Sequence, residues 1–209
     1  MINYNVGSKS ISEIFDHLFN VISSKNFITM KSLGNEIPFF ICPYEVSKST
    51  DIENLQKQLT NKLTNEGIKI LRINVYDLCI EILKNRNLFD RIIDLEPTIE
   101  KDFLFDNLYN VLNPEQSLVP EINKIIEESD YDVLFINGIG EVYPYIRSHA
   151  ILNNLEKTTK KKPMVMFFPG SYTYSKEVGA TLELFGELHD DKYYRAFNIL
   201  EYRQQKGDR

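Results

Sequence analysis

Arg147 and His149 stand two positions apart, just behind Tyr143-Pro144-Tyr145, and Arg195 follows Tyr193-Tyr194. A guanidinium offers a fork of donors that fits carboxylates and phosphates, and an imidazole can move a proton near neutral pH. Pro144 suits the first turn of a helix, which would set Arg147 and His149 early in that helix, beside free amides and the positive end of its dipole. Such a grouping would make an anion or carboxylate clamp. The plainer alternative pairs Arg147 with a backbone carbonyl or with Glu141 and makes His149 an interior histidine. Tyr172, in Pro169-Gly170-Ser171-Tyr172, is a large ring with a polar tip. With Tyr193, Tyr194 and Arg195 it belongs to the residue types that dominate interface hot spots, although the same rings could simply close a core.

Other chemistries find less material. The loop Pro43-Tyr-Glu-Val-Ser-Lys-Ser-Thr50 has Lys48-Ser49 but no glycine, and Pro43 removes an amide donor, so a phosphate-cradling loop would be degenerate here. Gly138-Ile-Gly140 is half of a dinucleotide fingerprint, and its glycines read as a tight turn off a strand. Asp190-Asp191 has no third ligand at useful spacing, so no metal is expected. Cys42 and Cys79 are isolated and read as small core hydrophobes. His17, His149 and His189 form no Ser/His/Asp or Cys/His ordering. No catalytic residue and no cofactor are therefore assigned.

The elements that must position these groups follow from capping and periodicity. Ser10-Ile-Ser-Glu13 is a capping box, and Ile11, Ile14, Phe15, Leu18, Phe19 and Ile22 continue it as an amphipathic helix. Pro38-Phe-Phe-Ile-Cys-Pro43 predicts a buried strand. Thr50-Asp-Ile-Glu53 predicts a second capping box, opening a helix that Gly67 stops. A second strand is expected over 68–75, with a helix around 78–83. Helices broken at Pro97 and Pro114 fill 88–129, with Phe103, Leu104, Leu108, Val111 and Leu112 as one apolar stripe. Strands are expected over 132–137, 163–168 and 194–200, and a helix over 145–155. Pro169 ends its strand, Gly170 turns the chain, and 173–181 is a polar insertion.

Alternation of strands and helices, with continuously apolar strands, predicts an α/β fold. Its mainly parallel sheet of about five strands is covered by helices on both faces, doubly wound or degenerate P-loop-like. Ligands in such folds sit beyond the carboxyl ends of the strands. At 209 residues the chain is expected to be a single domain over 1–209, with an N-terminal helix in 1–30 and an acidic helical insertion at 88–130.

Composition removes several classes. Hydrophobic residues make up 43% and charged residues 26%, which are ordinary globular values. No apolar run approaches the ~20 residues needed to cross a bilayer, and the N-terminus lacks a signal-peptide pattern, so a cytoplasmic, membrane-free protein is expected. The formal charge is −6. Between Asp90 and Asp132 twelve acids face three bases, so this middle is strongly acidic and the remainder mildly basic. An acidic middle repels a phosphate backbone, and independent binding of duplex DNA is not expected.

Larger blocks carry a resemblance. Phe135-Ile-Asn-Gly-Ile-Gly-Glu-Val-Tyr-Pro-Tyr-Ile-Arg-Ser-His-Ala-Ile-Leu-Asn-Asn-Leu155, Pro163-Met-Val-Met-Phe-Phe-Pro-Gly-Ser-Tyr172, Leu182-Glu-Leu-Phe-Gly186 and Tyr193-Tyr-Arg-Ala-Phe197 resemble the BrxB family. Pro38-Phe-Phe-Ile41, Asn74-Val-Tyr-Asp-Leu78 and Leu95-Glu96 are similar to weaker positions of that family, so the resemblance spans nearly the whole chain. It implies a component of a BREX (bacteriophage exclusion) system, which tells self DNA by methylation and blocks phage replication. It also implies work among other BREX components, with the phosphatase-superfamily protein PglZ as the expected partner. A non-catalytic adaptor is the expected role. A degenerate nucleotide-binding domain, or a phosphoester-handling enzyme using Arg147, His149 and Arg195, is the alternative.

Overall fold

The structure is a computed structural model that describes residues 9–30, 38–155, 162–175, 179–194 and 196–202, with side chains described outside 174–180 and 189–195. Four strands, β1 (Phe39–Tyr44), β2 (Ile70–Asn74), β3 (Val133–Asn137) and β4 (Met164–Ser175), alternate with helices. The sheet order is β2-β3-β4-β1-β7, where β7 (Phe197–Asn198) is a short last strand, and every pair along that path is parallel. The expected parallel α/β core of five strands is present.

Alternation along the strands builds two apolar layers. Phe40, Cys42, Phe135, Val165 and Phe167 face α1 (Ile11–Ile22), α2 (Lys25–Ile28) and α3 (Ser49–Asn65). Phe39, Ile41, Leu134, Ile136, Met164, Met166 and Phe168 face α4 (Val75–Asn85), α7 (Val119–Glu128) and α8 (Ser148–Leu155). Because both faces are covered, the strands are apolar throughout, and each fully buried Phe or Ile contributes roughly 1.5–3 kcal/mol of transfer free energy.

Local signals set most boundaries. The Ser10 hydroxyl accepts from the Glu13 amide at 3.2 Å while the Ser10 amide donates to Glu13 at 2.7 Å, completing the expected capping box. Gly67, at φ +83°, ends α3 with its amide on Thr64 and the Ile68 amide on Leu63. The second expected capping box does not form. A tight turn over Val46–Lys48 feeds straight into α3, leaving Thr50 inside the helix. α4 starts at Val75, earlier than the spacing suggests, because the Asn74 Oδ1 accepts from the amides of Tyr76 (2.9 Å) and Asp77 (3.2 Å). Pro97 separates α5 (Phe89–Leu95) from α6 (Lys101–Val111), and an Asn113-capped turn at Pro114 leads into α7.

The expectations for the C-terminal third need correction. β4 does not end at Pro169 but runs twelve residues to Ser175, through the whole Pro169-Gly170-Ser171-Tyr172 segment. Pro169 sits where β4 changes partner, parallel to β1 up to Tyr44↔Pro169 and antiparallel to β5 (Gly179–Leu184) from Gly170↔Leu184, so its missing donor is not required. Gly170 is needed for close approach, since a Cβ there would lie 2.0 Å from the Glu183 carbonyl oxygen. Instead of a polar loop, 173–175 and 179–181 belong to the β4–β5 pair, and β6 (Leu188–Tyr194) adds antiparallel to β5. The expected strand over 194–200 is thus the end of β6 and the short β7. Arg195 lies outside the described residues.

Candidate functional site

The parallel strands deliver Tyr44, Asn74, Asn137 and Pro169 to one edge, the carboxyl edge of the sheet. Around them lie the β1–α3 turn, the start of α4, the β3–α8 connection and the β4–β5 ladder. On the α3 face, the Asn137 Nδ2 donates to the Gln56 Oε1 at 2.9 Å, and Gln56 is buried among the apolar stripe of its helix. Arg72, one pleat below Asn74, shares this face. Its Nε and the Asn137 Oδ1 are buried without a hydrogen-bond partner among the described residues.

The charges at this edge are mostly acidic. Glu53 is held below the usual carboxylate range, first by the hydrogen bond and charge of Lys57 at 2.6 Å, and more weakly by Arg72. Glu141 is raised above its ordinary value by partial burial and then by the charges of Asp77 and Glu53. Burial, followed by the charge of Glu141, pushes the Tyr44 hydroxyl up to about 12. Among the described residues, no three His, Cys, Asp or Glu side chains converge as a metal site requires.

The glycines at the edge admit protein atoms. A Cβ on Gly138 would stand 2.3 Å from the Asn74 Oδ1, and one on Gly140 2.8 Å from Pro169 and 2.9 Å from the Phe185 ring. The Tyr143 ring meets Phe185 edge-on at 6.1 Å. Close packing of the connection against the cap of α4 and the β5–β6 turn therefore accounts for both glycines. Around the rim, large apolar side chains face solvent: Val46, Tyr76, Phe185 and Leu188.

The structure disperses the residues singled out by sequence. The helix expected from Tyr145 begins only at Ser148. Residues 139–146 form turns around a cis Tyr143-Pro144 bond, so Pro144 is not in a helical first turn. Arg147 directly precedes α8 and is exposed, and its guanidinium makes no hydrogen bond or ion pair among the described residues. His149 is half-buried and engaged within the fold. Tyr172 is buried, and its hydroxyl donates to the Ala196 carbonyl at 2.7 Å. Tyr193 and Tyr194 lie on the β6 backbone, a strand packed beside α8. Arg195, as noted, is outside the described residues.

Sequence reasoning passed over Gln56. Gln56 was detectable, because it is the one polar residue inside the stripe Ile52, Leu55, Leu59, Leu63, at helical spacing from both ends. Nothing local marks its partner, 81 positions away.

Comparison with known proteins adds what geometry leaves open. No solved structure matches the chain. Two curated relatives do, both named BREX protein BrxB. The one from Bacillus cereus (strain H3081.97) is 34% identical over 197 residues, covering 92% of this chain and 99% of the relative. The one from Escherichia coli O9:H4 (strain HS) is 27% identical, covering 86% of each. A family model described as BREX protein BrxB matches residues 71–199, from β2 to the last strand. With that match over more than half of the chain, and a relative this similar along nearly all of it, the chain belongs to the BrxB family.

Proposed function

We propose that this protein is a component of a BREX bacteriophage-exclusion system, acting in the cytoplasm as a non-catalytic adaptor that docks on PglZ. Membership of the BrxB family supports the role in phage defence. The adaptor reading rests on one observation: the groups at the carboxyl edge are committed to the fold itself. Asn74 caps α4, Asn137 binds Gln56, and the glycines make room for Asn74, Pro169 and Phe185. What the edge offers outward is large apolar side chains set among carboxylates, which suits contact with another protein more than binding of a nucleotide.

The test is recovery of the tagged protein from cells carrying the whole defence cluster, followed by identification of what is retained. Co-purification of PglZ supports the reading, and recovery of no BREX component overturns it. A thermal shift measured with ATP, GTP and Mg²⁺ addresses the enzymatic alternative. Melting temperature is expected to stay constant, and a saturable rise would replace the adaptor with a nucleotide-binding protein.

A further inference from the structure

α5 and α6 are joined to the protein along one side only. Leu88, Phe89, Ile92, Leu108 and Val111 pack on the core, and Arg86 of the α4 terminus donates to the Val111 carbonyl at 3.0 Å and the Ser117 hydroxyl at 2.9 Å. Phe105 stacks on Tyr145 at 5.4 Å, tying α6 to the connection that leads to Arg147. Yet neither helix buries a single residue. Phe103, expected in one apolar stripe with Leu104, Leu108, Val111 and Leu112, is 62% exposed, and Ile93, Leu95 and Tyr109 are each about half exposed. A core-building pair of helices would not leave four large apolar groups in water within seventeen residues.

The charges around them have one sign. Asp90, Asp94, Glu96, Glu100, Asp102 and Asp106 face only Arg91 and Lys101 in this segment. None of the six carboxylates has an ion-pair partner among the described residues. Together, exposed apolar groups inside an acidic rim define the complement: an apolar protein surface rimmed with Lys and Arg. A phosphate backbone is repelled. A second copy meeting this face with its own would set like charges opposite each other.

We infer that the α5–α6 face, centred on Phe103 with Ile93, Leu95 and Tyr109, is the surface on which a basic protein partner docks. This rests on the adaptor reading and specifies where and by what chemistry it works. Salt should weaken the complex, because the rim is exposed, while the apolar centre supplies most of the affinity.

The experiment uses the full-length tagged protein and the other proteins of its defence cluster, with retained partners identified and joined by a zero-length carboxylate-to-amine cross-linker. Cross-links are expected between carboxylates of 90–106 and lysines of the partner. Binding should fall at least about tenfold in Phe103→Ser and in Asp94→Lys/Asp106→Lys. The matched reversal Asp51→Lys/Glu66→Lys, on the opposite layer, should leave it unchanged, and all variants should keep the wild-type melting temperature within a few degrees. A partner from the cluster held with undiminished affinity by both α5–α6 variants overturns this surface and leaves the adaptor reading standing. No cluster protein retained by the wild type overturns both. Concentration-dependent self-association abolished by Phe103→Ser assigns the face to a second copy and overturns the basic partner.

Discussion

Tyr172 and Arg147 exchange the roles that their residue types suggest. Tyr172 sits between β5 and the Ala196 carbonyl, 24 positions away, and its ring is core. Arg147 stands in solvent, and its guanidinium has no partner among the described residues. Truncating the first should therefore cost stability, and truncating the second should not. Tyr172→Phe should lose about 1 kcal/mol for the buried hydrogen bond and Tyr172→Ala about 3–5 kcal/mol. Arg147→Ala should stay within about 0.5 kcal/mol of wild type in urea unfolding yet abolish phage restriction in cells. If the Arg147 variant restricts phage normally, its guanidinium has no contact outside the chain.

At the scale of elements, the β3–α8 connection is held at an electrostatic cost. Its Glu141 carboxyl is raised by partial burial and by Asp77 and Glu53, so the folded protein resists ionising it more than the unfolded chain does. Folding stability from this group is full below the ordinary value of 4.5 and is lost as pH rises through the folded value. Glu141→Gln should accordingly raise the melting temperature at pH 7, with the gain vanishing below pH 4.5. Glu13 and Asp130 work in the other direction. The Ser10 hydrogen bonds, and the hydrogen bond and charge of Lys69, lower their values, so their contributions are present at neutral pH and lost as pH falls through the folded values. A Glu141→Gln gain that persisted undiminished into acid would mean packing, not charge, limits the connection.

For the whole molecule, the sheet divides two apolar layers, and each holds one cysteine: Cys42 with α1–α3 and Cys79 with α4, α7 and α8. Burial pushes both thiols up to about 12, so neither reaches the thiolate that attacks a disulfide reagent. Both should stay silent toward Ellman's reagent in the native protein. They should then become reactive together across one denaturant transition, because the two layers share the strands between them. Reaction of Cys79 well before Cys42 would show that the helical layer bearing α5 and α6 opens on its own.

The sequence by itself determined what short-range physics can specify. The Ser10 capping box, the Gly67 stop, the breaks at Pro97 and Pro114, the apolar strands and hence the parallel, two-sided α/β sheet all follow from hydrogen bonds and periodicities within a few residues. The candidate edge was legible too, as the carboxyl ends of those strands. The tertiary structure alone decided the rest, because it depends on atoms distant in the chain. β5 approaches Gly170 and carries β4 past Pro169, Gln56 meets Asn137, Ala196 takes the Tyr172 hydroxyl, and Phe103 is left largely in solvent. Periodicity tells which residues share a face of a helix, but whether that face meets a core or water depends on how many other elements compete to cover the same sheet.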